Sequence, residues 1–251
     1  MKVFVISLQE STERRERIEK LLSAQKVSFS FFNAVNVKKV NLEQYPYYNR
    51  AKTIQKKGYQ LTNAEIGCYL SHYEMWQQCI ELKEPILVLE DNVEICTDLA
   101  DFLEFAKNNI DTLGIIKFGS YFTKNSTTVC QVNSTVNLVK YNKGAGGTSC
   151  YMITPSVSQR YISLSNEFYS AVDDFMDMEY RTQIPLFTFS PDVIGRSQIQ
   201  STIGARKNKD NLMALNKVYI ELNRVLHQIK RFIFNLKFNN KIQEIQKKIR
   251  T

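Results

Sequence analysis

The residues best placed for chemistry are Glu90, Asp91 and Asn92, because they follow the apolar run Pro85-Ile-Leu-Val-Leu with no spacer. A run of this length, bounded by a proline and by polar groups, fits a strand buried on both faces. Acids at the carboxyl end of such a strand face a crevice, where open α/β sheets gather their ligands. Two carboxylates and an amide oxygen there offer hard donors for a divalent cation that anchors a diphosphate. An isolated acidic pair more commonly opens a turn, so the weight comes from other clusters. Ala171-Val-Asp173-Asp174-Phe-Met-Asp177 places acids at a predicted helix start, where they either complement the helix dipole or supply a general base. His72 follows Gly67 and Ser71 on the small face of another predicted helix, and a lone histidine there is more often a hydrogen-bonded core residue than a ligand. Lys117 stands near the end of a second short apolar run, Gly114-Ile-Ile-Lys-Phe-Gly119, placed either to neutralise phosphate or to extend to solvent. Gly144-Ala-Gly-Gly147-Thr lacks the Gly-Lys-Ser/Thr ending of a phosphate loop, so its glycines read as tight backbone bends.

These side chains need a frame. Residues 2–8 read as a first strand, Ser11 as the cap of a helix whose Ile18, Leu21 and Leu22 form one apolar stripe, and residues 27–35 as a second strand. This βαβ opening predicts an α/β fold with a mostly parallel central sheet flanked by helices. Residues 36–60 show no clean period and are expected to form loop. Thr62-Asn-Ala-Glu65 is a capping box that starts a helix running to about Leu82. Helices are further expected over residues 98–108 and 155–164, a hairpin or irregular excursion over 120–143, and strands over 149–154 and 186–189. A polar closing loop over 190–204, with Gln198, Gln200, Ser201 and Thr202, completes the body.

The 251 residues, 43% of them hydrophobic, can bury a substantial core, which excludes a disordered chain. The first residues have neither the core length nor the cleavage site of a signal peptide, and no apolar stretch approaches the roughly 20 residues that cross a bilayer. Five scattered cysteines without paired C-x-x-C spacing disfavour a disulfide framework and a structural zinc site, so a reducing cytoplasm is the default. The sequons at Asn125 and Asn133 then carry no weight.

Charge is unevenly placed. Residues 206–251 hold twelve Lys or Arg against three acids, net +9, while residues 1–205 are net −1. A near-neutral body with a basic tail argues for an anionic partner met by the tail, and against nucleic acid, for which the stripe also lacks interleaved aromatics. In the tail Leu212, Leu215, Tyr219, Leu222, Leu226, Ile229, Ile233 and Leu236 alternate steps of three and four, the seam of one long amphipathic helix. Val218, Val225 and Phe232 widen the seam, and Lys217, Arg224, Lys230, Arg231 and Lys237 surround it. The body of the same chain, a second copy in a homo-oligomer, and an anionic membrane all fit such a surface. The expected division is a catalytic body over 1–205 and a helical tail over 206–251.

The order of segments resembles glycosyltransferase family 25. The resemblance is carried by Val5-Ile-Ser-Leu8 with Arg14-Arg15, Phe31-Phe32-Asn-Ala-Val35, Leu61-Thr-Asn-Ala-Glu-Ile-Gly-Cys68-Tyr-Leu-Ser-His72, Leu87-Val-Leu-Glu-Asp91 and Ile115-Ile-Lys-Phe-Gly119. The Glu-Ile-Gly-Cys-x-Leu-Ser-His run followed by Leu-Glu-Asp is the specific part, and the likeness extends over about residues 1–205. It implies a GT-A-like fold and an inverting transfer of galactose or glucose from a UDP-sugar to a lipooligosaccharide or lipopolysaccharide acceptor, in the cytoplasm at the inner face of the membrane. It departs from the family at Asn92, where an aspartate is usual, and at Ser149, where a histidine often follows Gly-Thr. Both changes remove potential metal ligands.

Position and resemblance together give the roles. Asp91, with Glu90 and Asn92, is expected to hold a divalent cation, manganese first. Ser7, Leu8, Arg14, His72, Lys117 and Gly119 are expected around the nucleotide sugar, with His72 and Lys117 near the diphosphate. Asp173 and Asp174 are the candidate bases, Asp174 preferred by analogy with related sugar transferases. Two rivals stand beside this reading: a nucleotide-sugar-binding protein without catalysis, its metal site eroded at Asn92 and Ser149, and a coiled-coil interaction protein whose α/β body is incidental.

Overall fold

A computed structural model describes residues 1–197 and 214–249, with side chains of the last segment described from Lys217 onward. The amino-terminal half runs β1 (Lys2–Ser7), α1 (Thr12–Ala24), β2 (Ser30–Asn33), a 3-10 turn (Leu42–Gln44), β3 (Tyr47–Tyr48), α2 (Arg50–Lys57), α3 (Asn63–Leu82), β4 (Ile86–Glu90), β5 (Val93–Ile95), α4 (Ala100–Leu113) and β6 (Ile115–Lys117). The hairpin β7 (Ser126–Gln131) and β8 (Asn137–Tyr141) follows, then β9 (Cys150–Ile153), α5 (Pro155–Ser163), β10 (Glu167–Phe168), α6 (Val172–Met176), α7 (Glu179–Thr182), β11 (Phe187–Ser190) and β12 (Ile194–Arg196). The tail forms α8 (Ala214–Asn239) and α9 (Ile242–Lys248).

Eight strands form the central sheet in the order β2-β1-β4-β9-β6-β11-β8-β7. The β1 ladders to β2 and β4 and the β6 ladder to β11 are parallel, whereas β9 runs against both β4 and β6, and β8 against β11 and β7. Most strands therefore point one way, with β9 and β8 reversed. Both faces are covered. Leu87 and Leu89 of β4 face Ile18 and Leu22 of α1 and the aromatics of α4, while Ile86 and Val88 face Tyr69, Met75 and Trp76 of α3. Burial on both faces explains why β4 reads as an unbroken apolar run rather than an alternation.

The capping box is present: the Glu65 amide donates to Thr62 Oγ1 at 3.1 Å, and the Thr62 amide to Glu65 Oε2 at 2.8 Å. The small face of α3 admits a neighbouring backbone. A Cβ on Gly67 would stand 2.5 Å from the Val35 carbonyl oxygen, and Ser71 Oγ accepts from the Val35 amide at 2.8 Å while donating to the Gly67 carbonyl at 2.7 Å.

Several expectations need correction. Residues 36–60 are not loop throughout, because they hold α2, capped by Asn49 and ended by Gly58 at φ 77°. Asp177 lies at the carboxyl end of α6, not in its first turn. The expected long tail helix is present as α8, which a short α9 follows from Ile242. Its seam does not face the body: Tyr219, Leu222, Leu226, Ile229, Ile233 and Leu236 are all exposed, while Ile220 and Phe238 are buried. The polar closing loop is not loop throughout, because it holds β12, and its residues 198–204, the 205/206 boundary, Leu212 and the side chain of Leu215 lie outside the described residues.

Candidate active site

Parallel pairing of β1 with β4 sets Ile6 beside Glu90, so the carboxyl ends of both strands open on the same edge. There Ser7 Oγ donates to Asp91 Oδ2 at 2.8 Å and Arg14 Nη1 to Asp91 Oδ1 at 3.2 Å. Arg14 reaches this edge because α1 starts one turn after β1 ends. Both oxygens of Asp91 are thus held, one by a hydroxyl and one by a guanidinium. A cleft of about 500 Å3 opens over them, lined by Ser7, Leu8, Arg14, His72, Glu90, Asp91 and Asn92. Its remaining wall comes from residues 34–38 and from Thr62, Asn63 and Ala64 at the amino end of α3. An exposed helix amino end adds positive potential to the cleft.

Glu90 is held from two sides. Thr148 Oγ1 donates to Glu90 Oε1 at 2.7 Å, and His72 Nε2 faces the same oxygen at 3.5 Å. Burial alone would raise this carboxyl, yet hydrogen bonding from His72 and Thr148 and the field of Arg196 take it below the usual carboxylate range. The imidazole is itself fixed. Trp76 Nε1 donates to the Tyr151 hydroxyl at 3.2 Å, and that hydroxyl lies 2.9 Å from His72 Nδ1. Indole can only donate, so the Tyr151 hydroxyl keeps its proton free for Nδ1; when that proton is given to Nδ1, the imidazole proton is on Nε2, which faces Glu90. Cys68 Sγ completes a group with His72 and Glu90 whose ligand atoms all lie within 4.8 Å of one another. A metal would need the Nε2 lone pair that this tautomer removes. In that tautomer the cluster sets an imidazole N–H toward Glu90; in the other it offers three ligand atoms to a metal.

A different atom is open. Asn92 Oδ1, like His72 Nε2, is buried without a hydrogen-bond partner, in the same cleft as Asp91. An unsatisfied amide oxygen beside carboxylates suits a hard cation, so the residues present fit a divalent ion, with the Arg14 contact to Asp91 competing for it.

Lys117 and Gly119 do not line the cleft. Lys117 Nζ donates to the Gly146 carbonyl at 2.5 Å and stands 4.0 Å from Asp177 Oδ1, whose partner oxygen accepts from the Gly146 amide at 2.8 Å. Lys117 and Asp177 thereby clamp the loop that delivers Thr148 to Glu90. Gly146 and Gly147 take φ 69° and 81° in that loop, conformations that other residues rarely adopt. Gly119 allows close packing, since a Cβ there would meet the Ile194 carbonyl oxygen at 2.0 Å.

The two candidate bases differ. Asp174 is paired with Lys57 at 3.2 Å. Asp173 accepts from the Asp174 amide at 2.8 Å, and burial, then the Asp174 charge, raise its carboxyl above the usual range. Its charge is felt at Cys68, which lines the cleft, and at Tyr121. Arg196 is a cation that the sequence reading missed: it lies over the Tyr121 ring at 5.1 Å and its field reaches Glu90. Only its place in a polar segment near the carboxyl end of the body hinted at it.

An α/β body with acids at the carboxyl edge of a core strand is of the class that gathers ligands at that edge. Residues 1–176 match the family described as glycosyltransferase family 25 (LPS biosynthesis protein), and the chain belongs to that family. It is similar to human procollagen galactosyltransferase 2, 31% identical over 118 residues, or 43% of this chain and 18% of that protein. It is also similar to the lipooligosaccharide biosynthesis protein lic2B of Haemophilus influenzae, 35% identical over 105 residues, or 40% of this chain and 36% of that protein. The matched segment thus spans well under two thirds of either relative. Among solved structures it is similar to a glycosyltransferase involved in glycosylation of the major capsid of PBCV-1, with a TM-score of 0.43 and 12% identity over 90% of this chain and 100% of that one. The α/β fold, a mostly parallel central sheet flanked by helices with a long helix near the carboxyl end, is the architecture the sequence implies.

Proposed function

We propose that the chain transfers a hexose, galactose or glucose, from a UDP-sugar to a lipid-linked oligosaccharide of the lipooligosaccharide type, with inversion at the anomeric carbon. The observation that carries this reading is the cleft at the β1 and β4 edge, where Ser7, Arg14 and Asp91 are bonded together beside the open oxygen of Asn92. Family membership supports sugar transfer as its use.

In the proposed step the acceptor hydroxyl oxygen attacks C1 of the sugar from the face opposite the diphosphate. The new glycosidic bond forms as the bond from C1 to the diphosphate oxygen breaks, and UDP leaves with that electron pair. The hydroxyl proton passes to Asp173, whose raised carboxyl is matched to accepting it. Asp174, preferred on sequence grounds, has its charge taken up by Lys57 and supports Asp173 instead. Arg14 and Arg196 offer positive charge to the departing diphosphate. Asp91, Glu90 and Asn92 would hold a divalent cation, proposed to be manganese, which when bound adds Lewis-acid charge to the same oxygens. The proposed setting is the cytoplasmic face of the inner membrane, where a lipid-linked acceptor is presented. No helix among the described residues is long and apolar enough to cross a membrane.

Calorimetry with UDP, with and without manganese, tests the reading directly. Uptake is expected, and it is expected to be lost in Asp91→Ala. Absence of uptake at every cation concentration overturns the assignment. The Arg14 grip on Asp91 specifically favours the rival of a nucleotide-sugar binder without catalysis. Donor hydrolysis that depends on Asp173 rules that rival out, and binding without any turnover establishes it.

A further inference from the structure

The tail helix α8 has two faces with opposite fates. Its inner face is fixed to the body: Lys140 Nζ donates to Asn235 Oδ1 at 2.8 Å, Asn235 Nδ2 donates to the Asn142 carbonyl at 2.9 Å, and His227 meets the Tyr180 hydroxyl. Ile220 and Phe238 are buried on this side. The outer face carries Tyr219, Leu222, Leu226, Ile229, Ile233 and Leu236, widened by Val218, Val225 and Phe232, all exposed, with Leu222 at 64% and Phe232 at 63%. Contiguous hydrocarbon of this extent is rare on a soluble surface and marks an interaction site.

We propose that the outer face of α8 docks on an anionic lipid bilayer, lying in its interface with the apolar side chains inserted. The proposal draws its purpose from the lipid-linked acceptor read above, but the contact itself stands on α8 alone. Charge selects the occupant. From Lys217 to Asn239 the helix has five cations and one acid, and the acid, Glu221, is paired with Arg224. At about 100° per residue, Lys230 and Lys237 fall along one margin of the apolar face, while Glu221 stands at the other with its partner Arg224 and Lys217 further round toward the inner face. Lys56 and Lys57 of α2 extend the positive margin, since their charge bears on His227. An apolar ridge with a cationic margin, on a helix whose five cations and one acid leave it net +4, matches acyl chains bordered by anionic headgroups. A second copy is a poorer match, because pairing two such helices brings together two segments with five cations and one acid each, both of net positive charge.

The position suits transfer. Arg231 Nη2 donates to the Asp177 carbonyl at 3.3 Å, and Lys57 of the neighbouring α2 pairs with Asp174. The docking helix is therefore next to the segment that bears the candidate base. Because α8 is fixed to the body, docking would also orient the cleft relative to the bilayer.

Sedimentation of the full chain with vesicles tests this. Binding to vesicles containing phosphatidylglycerol is expected, weakened by salt, with little binding to pure phosphatidylcholine. Leu222→Glu/Ile229→Glu should reduce partitioning at least about tenfold, and Lys230→Glu/Lys237→Glu by about fivefold per lysine. Both variants should keep the melting shift caused by UDP, which shows an intact fold and separates failure of docking from failure of the transferase reading. No binding to anionic vesicles at low salt, equal binding to neutral vesicles, unchanged binding by Leu222→Glu/Ile229→Glu, or a stable dimer that this variant dissociates would each overturn the proposal.

Discussion

Glu90 and Asp91 are charges taken largely out of water, whereas Leu222 and Phe232 are hydrocarbon left in it. The two regions handle their departures differently. In the cleft nearly every buried polar group is answered from within the chain: Ser7 and Arg14 answer Asp91, and Thr148 and His72 answer Glu90. Along α8 the fold answers only the inner face. Burial of charge is tolerable where partners are supplied, and exposure of apolar surface persists where the partner is not part of the chain. What each region leaves open, the Asn92 oxygen in one and the apolar ridge in the other, points to what each one meets.

The largest expected effect falls on the cleft. Asp173→Asn should lower turnover about 10²- to 10⁴-fold with donor affinity kept, measured as kcat and as UDP uptake. Full turnover in this variant removes Asp173 from the mechanism. Asp174→Asn sharpens the assignment through pH. The Asp174 charge raises the Asp173 carboxyl, so removing it lets that carboxyl fall, and the acidic limb of the rate profile should move to lower pH. An unmoved limb means that Asp173 is not the group being titrated.

Lys140 ties α8 to the body. It is buried against Glu179 at 3.0 Å and reaches Asn235 of α8, with the rings of Phe234 and Phe238 at 5.5 and 5.1 Å. Burial raises the Glu179 carboxyl and the Lys140 charge lowers it. Lys140→Met should cost about 3–5 kcal/mol in urea denaturation because an unpaired carboxylate is left inside, and Lys140→Met/Glu179→Leu should recover most of it. A single-variant cost below about 1 kcal/mol means that water reaches the pair and that α8 is not held as described.

A smaller effect is expected at Tyr151. Tyr151→Phe leaves His72 Nδ1 and Trp76 Nε1 without their shared partner, at a cost of about 1–3 kcal/mol. Nitrogen NMR of the imidazole gives a readout that lost packing would not move: the proton should sit on Nε2 in the native chain and distribute over both nitrogens in the variant. A native proton on Nδ1 would free Nε2 and return the cluster with Cys68 to the status of a metal site.

Much of this was legible because it is local. The β4 run with its terminal acids, the Thr62 and Glu65 box, and the step-three-and-four seam of the tail each lie within a few residues, and the structure contains all three elements. Helix α2 was also signalled, by Asn49 at its start and Gly58 at its end, but only Thr53 is buried, so no apolar stripe revealed it. What could not be read is set by contacts between distant segments. Lys117 turns inward because Gly146 and Asp177 meet it, and Arg196 enters the site because Tyr121 lies beneath it. The periodicity of α8 gave an apolar face without saying which face the body takes. That choice belongs to Lys140, Tyr180 and Asp177, which grip the stripe of His227, Arg231 and Asn235.

That grip supplies the smallest prediction. Burial, with the charges of Lys57 and Lys56 on α2 and of Lys230 and Arg231 on α8, lowers His227 from 6.5 to about 4. Tyr180 of α7 contacts the ring from the body side. Between those two values the unfolded chain carries the proton and the folded chain does not, so stability contributed at neutral pH is lost as pH falls from about 6.5 toward 4. The ring is half exposed, so screening limits the change in melting temperature to about 2–4 °C. His227→Gln should flatten the melting profile between pH 6.5 and 5, a window in which ordinary carboxylates remain largely ionised. Vesicle binding at neutral pH should survive this substitution, because His227 belongs to the inner face. If His227→Gln leaves the profile unchanged but abolishes vesicle binding, the inner and outer faces of α8 have been assigned the wrong way round.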